Sequence, residues 1–217
     1  TIRGFQSYRN YYDGLLLQYN GLWNLAPQVD AFATESIEVL KGPTSVLYGS
    51  APPGGMVNQV AKQPLSDNQT QIRLRAGSND LVELGLDHTG AASDNLDYRV
   101  IALGRHKDGQ MVTTEEERKL FAPSATWRIS EKTSLNLNLY YQDDPKMVPS
   151  TPLPAMGTLT SAGYGKLDSD AYAGDKNWGN FAREVTMLGY KLNHEFTDSV
   201  TFLQNFRYTD ADALQHN

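Results

Sequence analysis

Cysteine is absent from the 217 residues. That excludes a disulfide framework, a thiolate zinc site and a cysteine nucleophile. No apolar run approaches the 18 or so residues of a membrane helix. Strands of a membrane β-barrel alternate and escape such a count. Positive charge is in short supply: 19 Lys and Arg stand against 25 Asp and Glu, and a net charge of −6 argues against a nucleic-acid partner. The histidines are few and scattered. His88, His106, His194 and His216 show neither H-x-x-x-H nor H-x-H spacing, so no metal site is expected. The run from Gly42 to Gly49 lacks the Gly-Lys-Ser/Thr of a phosphate loop, and Ser45 and Ser50 lack a G-x-S-x-G elbow. An enzyme is therefore not expected, and no resident cofactor is implied. No initiator methionine or signal peptide opens the chain, which reads as an internal piece of a longer protein.

What is present falls into two kinds of text. Residues 1–68 are dense in Gly, Pro and short apolar bursts. Asp13-Gly14 between apolar residues is a hairpin-turn signal. Ile37–Leu40 and Met56–Ala61 read as short strands, Thr44–Gly49 as a helical turn, and Lys62–Asn68 as a linker. From residue 69 onward the chain alternates. Ile72, Leu74 and Ala76 oppose Gln71, Arg73 and Arg75. Leu135, Leu137, Leu139 and Tyr141 oppose Asn136, Asn138, Tyr140 and Gln142. The stretch Leu96–Leu103 alternates less cleanly, because Ile101 and Leu103 fall on the face that carries Asp97 and Arg99. Seven strands are predicted. Tight turns stand at 93–95, 130–132 and 197–198; the other connections are 77–80 and the long loops 107–119 and 143–183. Glu115–Glu117 reads as a solvated loop tip, and Asp143-Asp144 as a capped strand end where a loop begins.

Short turns on one rim and long loops on the other mark an outer-membrane barrel, although a soluble β-sandwich also alternates at this spacing. Two features favour the barrel. Aromatics (Tyr98, Trp127, Tyr141, Tyr208) stand near strand ends on the apolar face. Arg73, Arg99, Asn136, Asn138 and Asn205 occupy mid-strand positions on the other.

The first segment carries a more specific signal. IRGF at 2–5, YDGL at 12–15, IEVLKGPTSVLYG at 37–49, PGGMVN at 53–58 and KQP at 62–64 follow in order. Together they closely resemble the plug domain of TonB-dependent outer-membrane receptors, on the ferric-siderophore branch. The later part resembles that branch too, at APSATWR (122–128), LGY (188–190) and HEF (194–196). The resemblance implies a mainly β fold. Residues 1–68 would be the C-terminal part of the plug, and 69–217 the first seven antiparallel strands of an incomplete barrel of about 22 strands. It implies an active transporter in the outer membrane of a Gram-negative bacterium, in contact with its lipid. The transporter would bind a ferric siderophore from outside and import it with energy from the TonB complex, whose contact segment lies outside this chain. Uptake of another large nutrient, an oligosaccharide or cobalamin, is the alternative within the class, and a soluble β-rich binding module the alternative outside it.

Hydroxamate receptors of this family hold the chelate with the arginine of Ile-Arg-Gly-Phe, with residues after the Asp-Gly turn, and with the aromatic of an Asp-Pro-Tyr. The resemblance carries these roles to Arg3, to Gln18, Tyr19 and Trp23, and to Phe32. At Asp30-Ala31-Phe32 the proline and tyrosine are replaced, so the expected aromatic wall loses its hydroxyl. Glu38 and Lys41 are charges on a plug strand that would face lumen residues of opposite sign or sit in a wet seam.

Overall fold

The computed structural model describes residues 2–5, 10–17, 27–42, 53–149 and 151–216. Two sheets account for nearly all regular structure among them. The first is mixed and four-stranded, built from β1 (Asn10–Tyr12), β2 (Leu15–Leu16), β3 (Thr34–Lys41) and β4 (Gly55–Ala61) in the order β2-β1-β4-β3. Asp13 (φ 52°) and Gly14 (φ 76°) turn β1 back onto β2, both in the left-handed region that an Asp-Gly hairpin turn demands. β4 pairs antiparallel with β3 and parallel with β1. The expected helical turn at Thr44–Gly49 lies outside the described residues.

The second sheet is a seven-stranded antiparallel meander: β5 (Gln69–Gly77), β6 (Leu81–Ser93), β7 (Leu96–Asp108), β8 (Glu115–Ser130), β9 (Thr133–Met147), β10 (Asn180–Thr197) and β11 (Val200–His216). Each strand pairs with its sequence neighbours, β5 and β11 form the edges, and the sheet is not closed. Two-residue turns join β6 to β7, β8 to β9 and β10 to β11 on one rim; the longer connections 109–114 and 148–179 lie on the other.

The strands run further than alternation alone indicates, which corrects two expectations. Glu115–Glu117 is not a loop tip but the start of β8, held by Lys107 against Glu116 (2.8 Å) and by Lys146 against Glu115 (2.6 Å) and Glu117 (3.0 Å). Asp143 and Asp144 lie within β9, and Asp144 is buried. Charges paired across strands extend a sheet past the apolar band, where no hydrophobic alternation announces it.

The two faces of the large sheet differ. Leu84, Leu86, Phe121, Trp127, Ile129, Leu137 and Leu188 stand exposed on one face, forming an apolar band far larger than a water-facing surface carries. The first sheet covers the other face. The hydrophobic core lies between the two sheets: Tyr12, Leu17, Val29, Phe32 and Ala33 on one side meet Ile101, Leu103, Leu120, Ala122, Tyr140, Val185 and Met187 on the other.

Candidate functional site

The seam between the two sheets is where charge and burial concentrate. At its centre is Asp30, 4% exposed, which caps a 3-10 turn over Ala31–Ala33. One carboxylate oxygen accepts from the Phe32 amide at 2.9 Å. The other accepts from Arg118 at 2.8 Å and lies 3.2 Å from Arg105. The Asp30 amide donates to the Tyr140 hydroxyl at 2.9 Å, and its carbonyl accepts from Thr34 Oγ1 at 3.1 Å. Burial alone would push this carboxyl up. The Phe32 amide and the guanidinium groups of Arg118 and Arg105 outweigh it and hold the group below the ordinary carboxylate range.

From Asp30 the charges continue along the inner wall in both directions. Arg105 Nε donates to Glu83 at 2.6 Å, and Arg75 and Arg73 approach the same glutamate at 3.4 and 3.8 Å. On the other side Arg118 grips Asp144 through Nε (2.7 Å) and Nη2 (3.2 Å), and Arg183 reaches Asp144 at 2.9 Å. Gln142 donates to Asp144 at 2.7 Å and accepts from Tyr140. Every carboxylate in the row is buried and bonded, the condition under which buried charges persist.

Two further contacts fasten the first segment to the wall. The linker after β4 is held by Lys62 on Asp87 (2.8 Å), by Arg99, which grips Asp87 through two nitrogens and donates to the Gln63 carbonyl (2.9 Å), and by the Leu65 amide on Thr89. The Asp13-Gly14 hairpin is held by Arg207, which donates to the carbonyls of Tyr12, Leu15 and Leu16, and by Lys191 on Asp13 (3.1 Å). The cavity left at this hairpin is about 30 Å³, room for little more than a water.

The residues singled out from sequence fare differently. Phe32 is buried completely (0% exposed), which corrects its reading as a wall for ligand. Its ring lies on the inner face of β6, where a Cβ on Gly85 would come within 2.9 Å of it, with the Arg73 guanidinium 4.5 Å and the Lys62 ammonium 4.9 Å from the ring centroid. The ring therefore anchors the first segment. Arg3 is exposed at the tip of a tight turn closed by Ile2 and Phe5, with φ 52°. Its guanidinium lies near Gly42, just past the Lys41 end of β3, whereas Phe32 precedes the Thr34 end. An eight-residue strand separates those ends by roughly 23 Å, so the two residues do not share a site. Gln18, Tyr19 and Trp23 lie outside the described residues. Glu38 accepts from Asn58 Nδ2 (2.9 Å) within its own sheet.

Sequence reasoning missed the arginine row and Asp30, whose partners lie 88 and 110 residues away. The nearest available signal was arginine on the non-lipid face of consecutive strands. It also missed a cluster on the outer face of the long-loop rim, where His106, Glu115 and Glu117 gather their ligand atoms within 4.8 Å. Lys146 already supplies the cation for both glutamates. On the same rim, an open cavity of about 360 Å³ is lined by Tyr172, Lys146 and Lys176 among others.

The description TonB-dependent Receptor Plug Domain matches residues 1–56. Over its full length the chain is 36% identical to the ferrichrome outer membrane transporter/phage receptor of Escherichia coli K12. Over 98% of its length it is 35% identical to the ferrioxamine receptor of Yersinia enterocolitica. It spans about 30% of each of these relatives. Among solved structures, the pyoverdine outer membrane receptor of Pseudomonas aeruginosa PAO1 superposes with a TM-score of 0.86 over 96% of this chain and 31% of that one, at 23% identity, a likeness of fold. The plug motifs, the mixed sheet packed inside an apolar-outward antiparallel meander, and these similarities agree: the chain is similar over its whole length to part of the TonB-dependent outer-membrane receptors, and residues 1–56 match their plug domain.

Proposed function

We propose that this chain is the plug-to-barrel part of an outer-membrane transporter that captures a ferric siderophore from outside and imports it with TonB-supplied energy. The observation that carries the reading is a plug packed against the inner wall of a sheet whose outer face is apolar, in a chain 34–36% identical to ferrichrome and ferrioxamine receptors. Among the described residues each hydrogen bond and ion pair between plug and wall involves a side chain, and a plug held in this way can be displaced without unpairing the barrel strands, as import through the lumen requires. The siderophore is cargo and brings its own iron. The protein has to hold an oxygen-rich chelate from outside, by shape and a few donors, and no catalytic step is needed.

Arg3 is the plug donor proposed for this task, and Gln18, Tyr19 and Trp23 are proposed with it on the motif alone. It is exposed, always charged, and presented on a tight turn. Loss of one charge-assisted hydrogen bond there costs about 1.5–3 kcal/mol, roughly ten- to a hundredfold in affinity. The test uses the full-length receptor in iron-starved cells and as purified protein. Ferrichrome and ferrioxamine B should bind and be imported only with TonB present, and Arg3→Ala should weaken binding while leaving the unfolding midpoint unchanged. No binding of any ferric siderophore, with uptake of an oligosaccharide or cobalamin instead, would replace the reading.

A further inference from the structure

The arginine row contains a mismatch that these seven strands do not resolve by themselves. Arg105 on β7 and Arg118 on β8 are direct cross-strand partners, and both point inward. Like charges in that position repel. The carboxylates flanking them are shared: Glu83 also serves Arg73 and Arg75, and Asp144 also serves Arg183. Along this part of the wall the guanidinium groups of Arg73, Arg75, Arg105 and Arg118 thus face two carboxylates, one of which also bonds Arg183, among the described residues. The missing anion comes from the plug. A single oxygen of Asp30 sits between Arg105 (3.2 Å) and Arg118 (2.8 Å), dry and in hydrogen-bond geometry with Arg118. Each guanidinium is already fixed by its flanking carboxylate, Arg105 through Nε on Glu83 and Arg118 through Nε on Asp144, so its remaining nitrogens are aimed before Asp30 arrives.

We propose that Arg105 and Arg118 form an oxyanion site built into the barrel wall, that Asp30 occupies it while the plug is seated, and that displacement of the plug leaves a carboxylate-binding site facing the lumen. The chemical class of ligand is a small carboxylate or a carboxylate-bearing chelate. The inference rests on the transport reading only in that the plug must move to uncover the site; the binding test below does not depend on transport.

The experiment uses the full-length receptor in planar bilayers, with the urea concentration that opens conductance as the measure of plug release, and sodium formate as the probe. Asp30→Ala should lower that concentration. Formate at tens of millimolar should raise it again, and sodium chloride at equal ionic strength should not. In the wild type formate should not raise it, because the seated site is filled and formate can bind only once the plug has moved. Adding Arg105→Gln and Arg118→Gln to Asp30→Ala should abolish the formate effect. Equal responses to formate and chloride, or a formate effect that survives loss of both arginines, would overturn the proposal. If Asp30→Ala does not assemble, Asp30→Asn is compared in the wild-type and double-glutamine backgrounds. The proposal requires its cost to vanish when the arginines are gone, and an unchanged cost would overturn it. Failure of siderophore import in the unmodified receptor would count against the transport reading and leave these outcomes as they stand.

Discussion

The two faces of the seven-stranded sheet are both apolar in part, but for different reasons. Outside, Leu84, Phe121, Trp127 and Leu137 are exposed and shape-tolerant, since lipid conforms to whatever it meets. Inside, Ile101, Leu103, Leu120, Val185 and Met187 are buried under the plug and have one partner surface each. Around that apolar footprint stand charges joined pairwise to Asp30, Lys62 and Asp13 of the plug region. The outer face is thus specified by a solvent and the inner face by a particular set of side chains. A pattern rule can read the first and not the second.

The comparison predicts unequal tolerance, and the largest effect should fall on the inner face. Arg118→Ala leaves the carboxylates of Asp30 and Asp144 buried with fewer partners. Breaking one side of a buried pair costs about 3–5 kcal/mol. Urea unfolding of the full-length receptor should show that loss, with the plug released before the barrel. A loss below 1 kcal/mol would mean that water fills the seam freely.

Next comes a reversal of the faces. Leu137→Arg, on the lipid side of β9, should cost about 2–4 kcal/mol in folding from urea into vesicles, the depth-dependent penalty for arginine in the apolar band. Asn138→Arg, one residue along on the inner side, should cost far less. Equal tolerance would remove the assignment of faces.

A smaller effect tests the fit of the plug on the wall. Gly85→Ala places a methyl group within 2.9 Å of the Phe32 ring, and the ring has to shift on the barrel surface. Overpacking of this kind costs roughly 1–3 kcal/mol. Gly104→Ala on the neighbouring strand meets nothing within 4 Å and should be neutral in the same unfolding assay.

The smallest effect comes from acid. The Asp30 carboxyl is held below the ordinary range, so its stabilising contribution is complete above the unfolded value of about 3.9 and is lost as pH falls through the lower folded value. Other buried carboxylates titrate as well, so the quantity to measure is a difference. Plug release by wild type and by Asp30→Asn should diverge above about pH 4 and converge in stronger acid. Parallel curves at every pH would show that seating the plug does not change the proton affinity of the Asp30 carboxyl.

Much of the barrel was legible without a structure because its outer face answers to one simple demand. Leu135, Leu137 and Leu139 alternate with asparagines, and the strand β9 that results contains all of them. The less regular stretch at Leu96–Leu103 is explained by Ile101 and Leu103, apolar on the inner side because the plug covers them there. Strand ends were misplaced at Glu115–Glu117 and Asp143-Asp144 because paired charges, rather than alternation, carry the sheet onward. Of the site, Arg3 was indicated by its motif and stands exposed on its turn. Phe32 was indicated by the same kind of reasoning and turned out to anchor the plug. A motif identifies the turn that presents a side chain, but not what the ring meets three-dimensionally.

The amino-acid sequence by itself determined the meander of seven strands, the Asp13-Gly14 hairpin and the apolar outer side of the strands, since all of these follow from local spacing and turn chemistry, and its motifs carried the resemblance to the receptor family. Only the tertiary structure decided which inner residues the plug covers, and that Arg105 and Arg118 share one oxygen of Asp30. The physical reason is range. Alternation acts between neighbours two residues apart, whereas a buried charge is settled by whichever counter-charge the fold delivers, here across 88 residues of chain.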